Sequence, residues 1–465
     1  MMNANSAHAP YSVVSPGRER FERWLYRTYF RSSGVHHYLH RRMRPAGVAV
    51  CIVFVLATCL GIGHSRPSVY QLFSLSFGLL SIALPWALLR RAKLEAVREV
   101  PRHATAGVTL RLAVRVRNLG RRPISRAWLA ESPPDPRPDR VEFITLREPG
   151  EEERNRFDRC FAYFRWQWLL LRRRLFSDGL STDEIDIAPG RQARVFIELT
   201  PARRGVIRLH DLRVFLPDPL GLFQKCVKVS APPVSLTVLP RRYSLPPVRL
   251  PGGAAFKISG DANTNAIGNS GEFVGLRDYR AGDPLRQIHW KSWARTGHPI
   301  VKELEDTFYP RYGLVLDTLS TDRNDDIFEE AVSVAASFAA EIDTGDSLLD
   351  LMFIKNEAHI VTAGRGVERA EKLLEVLAGV TPSRNGDHKP LARLVLRHSE
   401  DLTSCIVILN GWDDSRAELL RSLEMGGVLC VPVVIGRGAR PANVPGHWLE
   451  TGHIARDLRR LPEKL

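Results

Sequence analysis

Hydrophobic positions follow three successive rhythms along this chain. The first is two unbroken apolar runs, AGVAVCIVFVLATCLGIG over Ala46–Gly63 and VYQLFSLSFGLLSIALPWALL over Val69–Leu89. As helices rising 1.5 Å per residue they would extend ~27 and ~31 Å, enough to cross a bilayer core of about 30 Å. A pair of buried core helices is the competing reading, and a signal peptide competes for the first run. The signal peptide fits poorly, because the run starts far from the N-terminus, lacks a small-residue cleavage pattern and is followed at once by the second. Pro85 lies near the end of its helix, where it is tolerated. Only HSRPS, residues 64–68, separates the runs, so they are antiparallel and predict a two-helix transmembrane hairpin over 45–89.

The second rhythm has period two. Leu110, Leu112, Val114 and Val116 alternate with Arg111, Ala113, Arg115 and Arg117, and Asn118–Gly120 offers a turn. Arg194–Leu199 and Val234–Leu239 alternate similarly. Short strands between Pro/Gly turns predict a β-sandwich-like domain over 90–240. Within it, CFAYFRWQWLLLRRRLF (Cys160–Phe176) departs from the alternation. It reads either as a membrane-surface contact or as an amphipathic helix covering a sheet edge.

The third rhythm alternates apolar strands with helices. Tyr312–Asp317, Leu348–Ile354, Ser404–Leu409 and Val428–Ile435 are strands; Val367–Leu377 and Ser415–Leu423 are helices. The helix Asp325–Ile342 has Ile327, Phe328, Ala331, Val332, Ala335, Phe338 and Ile342 on its inner face. These predict a C-terminal doubly wound α/β domain over 311–465. Residues 241–310 form a linker, rich in Pro, Gly, Asn and Ser to 270, that ends in a charged, aromatic motif. The whole is a membrane-anchored α+β chain with a basic leader, 1–44.

Composition narrows the setting. A length of 465 residues implies two or three domains. A net charge of +15 favours an anionic neighbour. The charge is concentrated in the leader, at RRMR (Arg41–Arg44) before the first run, and at Arg90, Arg91 and Lys93 after the second. By the positive-inside rule both ends, and everything beyond residue 90, are cytoplasmic. No nucleic-acid-reading motif occurs, so lipid is the expected anion and nucleic acid is not an expected partner. The leader interleaves arginines with aromatics and reads as an interfacial helix on anionic lipid or as a loosely ordered basic segment. Cys51 and Cys59 lie in a span, and Cys160, Cys226, Cys405 and Cys430 are isolated, without CxxC spacing, which fits a reducing compartment.

The motif GEFVGLRDYRAGDPLRQIHWKSWARTGHPIVKELE (Gly271–Glu305) carries the candidate site: Arg277, Asp278, Tyr279, Asp283, Arg286, His289, Trp290 and Arg295. Buried charges must pair, since an unpaired one costs several kcal/mol. In the structural reading, Arg277, Arg286 and Arg295 pair with Asp278, Asp283 and Glu272. In the functional reading the loop is a partner-docking surface, because Trp, Tyr and Arg dominate interface hot spots. Gly271, Gly275 and Gly282 fit no nucleotide fingerprint, and the last two supply turns. GNSG at Gly268–Gly271 has the wrong spacing for a nucleophile elbow, and no HExxH or Walker pattern occurs. His36, His37 and His40 sit in the basic leader, which favours lipid or solvent over zinc. Cys405 is mid-strand and reads as packing. Only proximity in sequence supports Asp283 and His289 as an acid/base pair.

The spaced pattern GEF–LRDY–GD–R–IHW–AR in Gly271–Arg295 resembles a bacterial membrane family, domain of unknown function fifty-eight. RRGVIRLHDLRVFLPDPLGLF (Arg203–Phe223) looks like that family's second signature. The resemblance runs from the apolar runs to near the C-terminus. It implies a two-span anchor in the bacterial inner membrane, a cytoplasmic β domain and a C-terminal domain like von Willebrand factor A. It also implies association with a MoxR-type AAA+ ATPase in complex assembly or envelope roles, and it brings no enzymatic activity. The von Willebrand likeness implies an Asp-x-Ser-x-Ser metal loop, whose oxygen ligands suit Mg²⁺. The matching positions are Asp317–Thr318–Leu319–Ser320–Thr321, with Asp317, Ser320 and Thr321 as weak ligand candidates. Leu319 cannot ligate, and Asn410–Gly411–Trp412 stands where Thr-Asp-Gly often follows, so no metal or other cofactor is expected. The expected function is a non-enzymatic membrane-anchored adaptor, with the ATPase and other membrane proteins as partners. The alternative is an envelope hydrolase or transferase using Asp283, His289 or Asp317, which would require those groups to converge in one pocket.

Overall fold

The computed structural model describes residues 16–61, 67–177, 179–248, 250–251, 272–305, 310–320, 325–342, 347–355, 357–364, 367–383 and 387–462. The chain divides into two compact units, Met1–Leu239 and Pro240–Leu465. Gly271 and Thr321 lie outside the described residues.

The first unit opens with three helices, α1 (Pro16–His40), α2 (Pro45–Gly61) and α3 (Pro67–Leu89). The apolar runs form α2 and α3, which pack through Phe54 on Phe73 with ring centres 5.3 Å apart. By length and composition α3 can cross a membrane, while α2 is apolar but shorter. Their outer faces leave Ile52, Val55, Leu60, Leu75, Phe77 and Ile82 exposed. An apolar surface of this extent marks contact with lipid or another protein rather than water.

The strands of the first unit are β1 (Leu94–Glu99), β2 (His103–Thr105), β3 (Leu110–Asn118), β4 (Ile124–Glu131), β5 (Gly179–Ser181), β6 (Ile185–Ile187), β7 (Gln192–Leu199), β8 (Gly205–Leu209), β9 (Leu212–Pro217), β10 (Gln224–Lys228) and β11 (Val234–Leu239). One sheet runs β1-β3-β7-β5-β4-β9-β10, with β6 paired to β4; a second runs β2-β11-β8. The alternation in β3 buries Leu112, Val114 and Val116 and leaves Arg111, Arg115 and Arg117 exposed. A single apolar core joins these residues and Ile197 of the first sheet to Leu209, Leu236 and Val238 of the second. The sheets therefore face each other as a sandwich.

The β4–β5 connection holds α4 (Arg140–Thr145), α5 (Arg156–Phe161) and α6 (Tyr163–Arg173). These helices seat part of the leader. Tyr26 and Tyr29 of α1 lie with ring centres 6.0 and 5.7 Å from Trp166 of α6, and both contact Phe143 of α4. Tyr26 and Tyr29 of the leader thus pack on protein, while Trp24 and Tyr38 of the same helix stay exposed. The Cys160–Phe176 insert is its seat, with Trp166 and Leu169 buried and Arg165 hydrogen-bonded through Nε to Glu151 at 2.8 Å.

In the second unit, β12 (Glu272–Asp278) and β13 (Ile300–Glu305) form an antiparallel hairpin. A six-stranded sheet follows: β14 (Arg311–Leu316), β15 (Leu348–Ile354), β16 (Ala358–Ala363), β17 (Ser404–Asn410), β18 (Cys430–Gly436) and β19 (His447–Glu450). Its order is β16-β15-β14-β17-β18-β19, parallel throughout except for β16. The β14, β15 and β17 interiors are almost wholly buried, as covered parallel strands must be. Helix Asp325–Glu341 packs on β14, β17 and β18 beside helix Val367–Ala378; helices Lys389–Arg397 and Asp414–Met425 pack together over β15 and β18. The start of the expected linker is not free chain. Tyr243 lies on helix Asp325–Glu341, its backbone N–H donating to Ser337 Oγ at 2.8 Å and its hydroxyl to Glu330.

Candidate functional site

The motif residues occupy the β12–β13 hairpin and its connection, where a short helix, Trp290–Thr296, begins after His289. Arg277 clamps Asp283 with two hydrogen bonds of 2.7 Å, and the Arg280 backbone N–H adds a third at 2.8 Å. These donors, Arg277 foremost, draw the Asp283 carboxyl down to about 2. The clamp closes a turn that Gly282 makes at φ 112°, a conformation open to glycine alone without strain. His289 Nδ1 meets Ser292 Oγ at 2.6 Å, Asp278 lies 3.2 Å from His298, and the Tyr279 N–H donates to the Pro299 carbonyl at 3.0 Å.

The expected pairing of Arg286 and Arg295 does not occur. Neither forms an ion pair among the described residues, because Asp283 already accepts from Arg277 and Arg280 and both arginines are exposed. Trp290 is 64 % exposed and stacks on Trp293 at 5.2 Å. Among the described residues the motif therefore holds one tight Arg–Asp clamp, with Trp290, Arg286 and Arg295 of its connection exposed.

The second candidate lies at the carboxyl ends of β14 and β17, where the strand order reverses and open α/β sheets form a ligand crevice. Asp317, fully buried, follows β14 directly. Its Oδ1 accepts from the Leu319 N–H at 2.9 Å and from His388 Nε2 at 3.3 Å. Its Oδ2 accepts from Arg416 Nε at 2.7 Å and from the Asn410 N–H at 3.3 Å. Since the carboxylate only accepts, His388 carries its proton on Nε2, and its Nδ1 faces Ser415 Oγ at 2.8 Å. Burial acts to raise the Asp317 carboxyl, but the His388 hydrogen bond and the Arg416 charge outweigh it and hold it below the ordinary range.

Arg416 is 2 % exposed and spends its whole guanidinium here: Nη1 on Asp413 and Nη2 on the Leu319 carbonyl at 2.8 Å. The helix Asp414–Met425 positions it. Asp413 caps that helix by accepting from the Arg416 N–H at 2.9 Å, which puts Arg416 in the first turn, facing the strand ends. Ser320 donates its backbone N–H to the Ser383 carbonyl at 3.0 Å. Among the described residues, no three His, Cys, Asp or Glu side chains gather at metal-binding range. Sequence reasoning found Asp317 and missed Arg416, His388 and Ser415.

The third place is the DPLGLF turn between β9 and β10. Asp218 is 4 % exposed, and its carboxylate accepts from the N–H groups of Leu220 at 2.6 Å, Leu222 at 3.1 Å and Phe223. The turn so fixed presents Leu222 and Phe223 to Ala83 and Ala87 of α3, with Met43 and Val50 beside them. The Arg44 N–H donates to the Leu222 carbonyl at 3.0 Å. Gly47 of α2 lies so close that a Cβ there would meet that carbonyl oxygen at 2.1 Å. The turn is the socket in which the apolar helices are seated.

A protein-family model described as "Protein of unknown function DUF58" matches residues 275–433, from within β12 to within β18. An uncharacterized protein of Bacillus subtilis, YeaD, is 27 % identical over 192 residues, or 40 % of this chain. The match spans 46 % of that relative's length. Among solved structures, the manganese-loaded TRAP protein of Plasmodium vivax is 11 % identical at a TM-score of 0.26, over 32 % of this chain and 72 % of that one. The CARDB domain of a Pyrococcus furiosus protein is 10 % identical at 0.15, over 32 % and 89 %. Both scores lie below the level at which a shared fold follows.

Proposed function

We propose that this chain is a non-enzymatic, membrane-anchored adaptor at the cytoplasmic face of a bacterial inner membrane. The observation that carries the reading is the hairpin connection: Trp290 exposed and stacked on Trp293, with Arg286 and Arg295 of the same connection exposed and without ion-pair partners among the described residues. Tryptophan and arginine left open to solvent have the composition of an interface hot spot. In this reading α2 and α3 are a two-pass anchor with basic flanks on the cytoplasmic side. The sheet order and its antiparallel edge strand support a von Willebrand factor A-like domain. Its switch point needs no divalent ion, because Arg416 supplies the positive charge that Asp317 faces.

The partner of the hairpin is a MoxR-type AAA+ ATPase, an assignment that rests on the family resemblance. A purified ATPase of that type is mixed with the full chain in detergent, beside Trp290→Ala and Arg286→Ala variants. Binding by the wild type and its loss in folded variants is the expected result. An ATPase that ignores the wild type removes the partner, and variants that bind equally well remove the surface. Catalysis by Asp283, His289 or Asp317 is the other reading, and no observation favours it. Among the described residues these three share no hydrogen bond or ion pair, and each has its own partners.

A further inference from the structure

The first unit contains a cavity of about 960 Å³, at the upper end of the range for ligand pockets. The end of α1, the Pro133–Arg137 loop, the end of α6 and the strands around Asp211 and Cys226 line it, and it is half open to the surface. Two of its arginines are already neutralised. Arg137 is bound to Asp135, and Arg213 Nε to Asp211 at 2.9 Å. They act as wall rather than as ligand. The Arg137 guanidinium lies 4.0 Å from the Phe30 ring and reaches the Phe30 carbonyl at 3.2 Å. Gly34 leaves it room, since a Cβ there would stand 2.9 Å from its Nη1.

Three other lining arginines, Arg41, Arg42 and Arg174, form no ion pair among the described residues. Arg42 is set over the Tyr38 ring at 4.5 Å, and Arg174 Nε donates to the Phe176 carbonyl at 3.3 Å. Leu170 and Leu171 give the same cavity an apolar side. The backbone around Arg41 and Arg42 is fixed: the Gln224 N–H donates to the Arg42 carbonyl at 2.9 Å, and Met43 bridges Phe223. Cations without ion-pair partners, on a fixed backbone and with apolar side chains in the same lining, suit an amphiphilic anion.

Position selects the source of that anion. Arg41 precedes Pro45, the first residue of α2, by four residues, at most about 14 Å of chain. If α2 and α3 lie in a bilayer, these arginines stand at headgroup depth. The geometry points to a binding site for the phosphate headgroup of an anionic membrane phospholipid, with Arg41, Arg42 and Arg174 as its charged contacts; this rests on the membrane-anchor reading.

The full chain is reconstituted in phosphatidylcholine bilayers with and without phosphatidylglycerol, extracted, and assayed for retained lipid by native mass spectrometry. The wild type is expected to retain phosphatidylglycerol selectively. The Arg41→Gln/Arg174→Gln double variant is expected to lose about twenty-fivefold of that preference, at about fivefold per arginine near an anionic surface. Arg121→Gln/Arg122→Gln removes the same charge at the exposed β3–β4 turn and should change nothing. Equal retention by wild type and the cavity variant, or equal loss in both double variants, overturns the site. Displacement of the lipid by inorganic phosphate at equal concentration overturns the lipid source. An alkaline wash of native membranes reads the anchor separately. A chain that washes off overturns anchor and site together, whereas one that stays but retains no phosphatidylglycerol overturns the site alone.

Discussion

Replacing Arg416 with methionine tests whether the switch point is held by its internal ion pair. The substitution keeps the volume of the side chain's stem and removes the guanidinium that touches Asp317, Asp413 and the Leu319 carbonyl. Asp317, with no exposed surface, is left with His388 and two backbone N–H groups. Breaking a buried pair by removing one partner costs about 3–5 kcal/mol. At about 2–4 °C per kcal/mol for a unit of this size, melting should fall by roughly 6–20 °C. Calorimetry on the full chain in detergent measures the shift, and hydrogen exchange in β14 and β17 identifies the transition that moves.

The pH dependence should also weaken. In the wild type the Asp317 carboxyl is depressed, so its contribution is present above its unfolded value and is lost as pH falls through the folded value. Without Arg416 the charge that helps His388 to lower that carboxyl is gone, so the gap between its folded and unfolded values narrows and less stability is lost on acidification. A variant that melts within about 2 °C of the wild type refutes the ion-pair account. So does a wild type stabilised by added Mg²⁺, because an ion that binds only the folded state must raise its stability.

Three further outcomes follow from the geometry. Gly47→Val should loosen α2 from its socket, since even a Cβ would meet the Leu222 carbonyl at 2.1 Å; limited proteolysis in detergent should then cut near residues 41–44 while the wild type stays intact. Arg277→Ala should return the Asp283 carboxyl from about 2 towards its ordinary 3.8, read by NMR titration. In the wild type the clamp therefore contributes above pH about 4 and is lost as pH falls towards about 2, whereas in the variant hairpin order should not change over that window. Cys405, without exposed surface and pushed up to about 12 mainly by burial, should resist iodoacetamide at mildly alkaline pH while exposed Cys160 reacts within the same experiment; comparable labelling of both would show that β17 opens readily.

What was legible in the sequence was local. The strands of the α/β sheet announce themselves because a parallel strand covered on both faces must be apolar at every position, as in SCIVIL at the start of β17. The β3 alternation is equally local, and its exposed arginines follow the pleat. β16 and β19 escaped notice because polar residues break their patterns, and the helix Lys389–Arg397 because it is short, although Leu391 and Val395 recur at helical spacing. The protein seat of the leader was illegible for a different reason. Its apolar partners Phe143 and Trp166 lie more than a hundred residues away, so an aromatic, basic helix looked from sequence like one made for lipid.

Asp317 and Arg416 pose the same difficulty, being 99 residues apart in the chain. Yet one local signal existed. Asp413 is a helix N-cap, and an arginine three residues later sits in a first turn whose dipole repels it. A buried cation in that place needs a buried acceptor, and the strand pattern supplies two acidic candidates, Asp317 at the end of β14 and Asp350 within β15. The chemical consequence is larger than the missed contact. A carboxylate that faces a divalent ion can change partner as the ion comes and goes, whereas a guanidinium carried by the same chain cannot leave. A crevice sealed in this way is a fixed strut. That consideration moves the search for a partner surface away from the strand ends and onto the hairpin, where Trp290, Arg286 and Arg295 remain open to solvent.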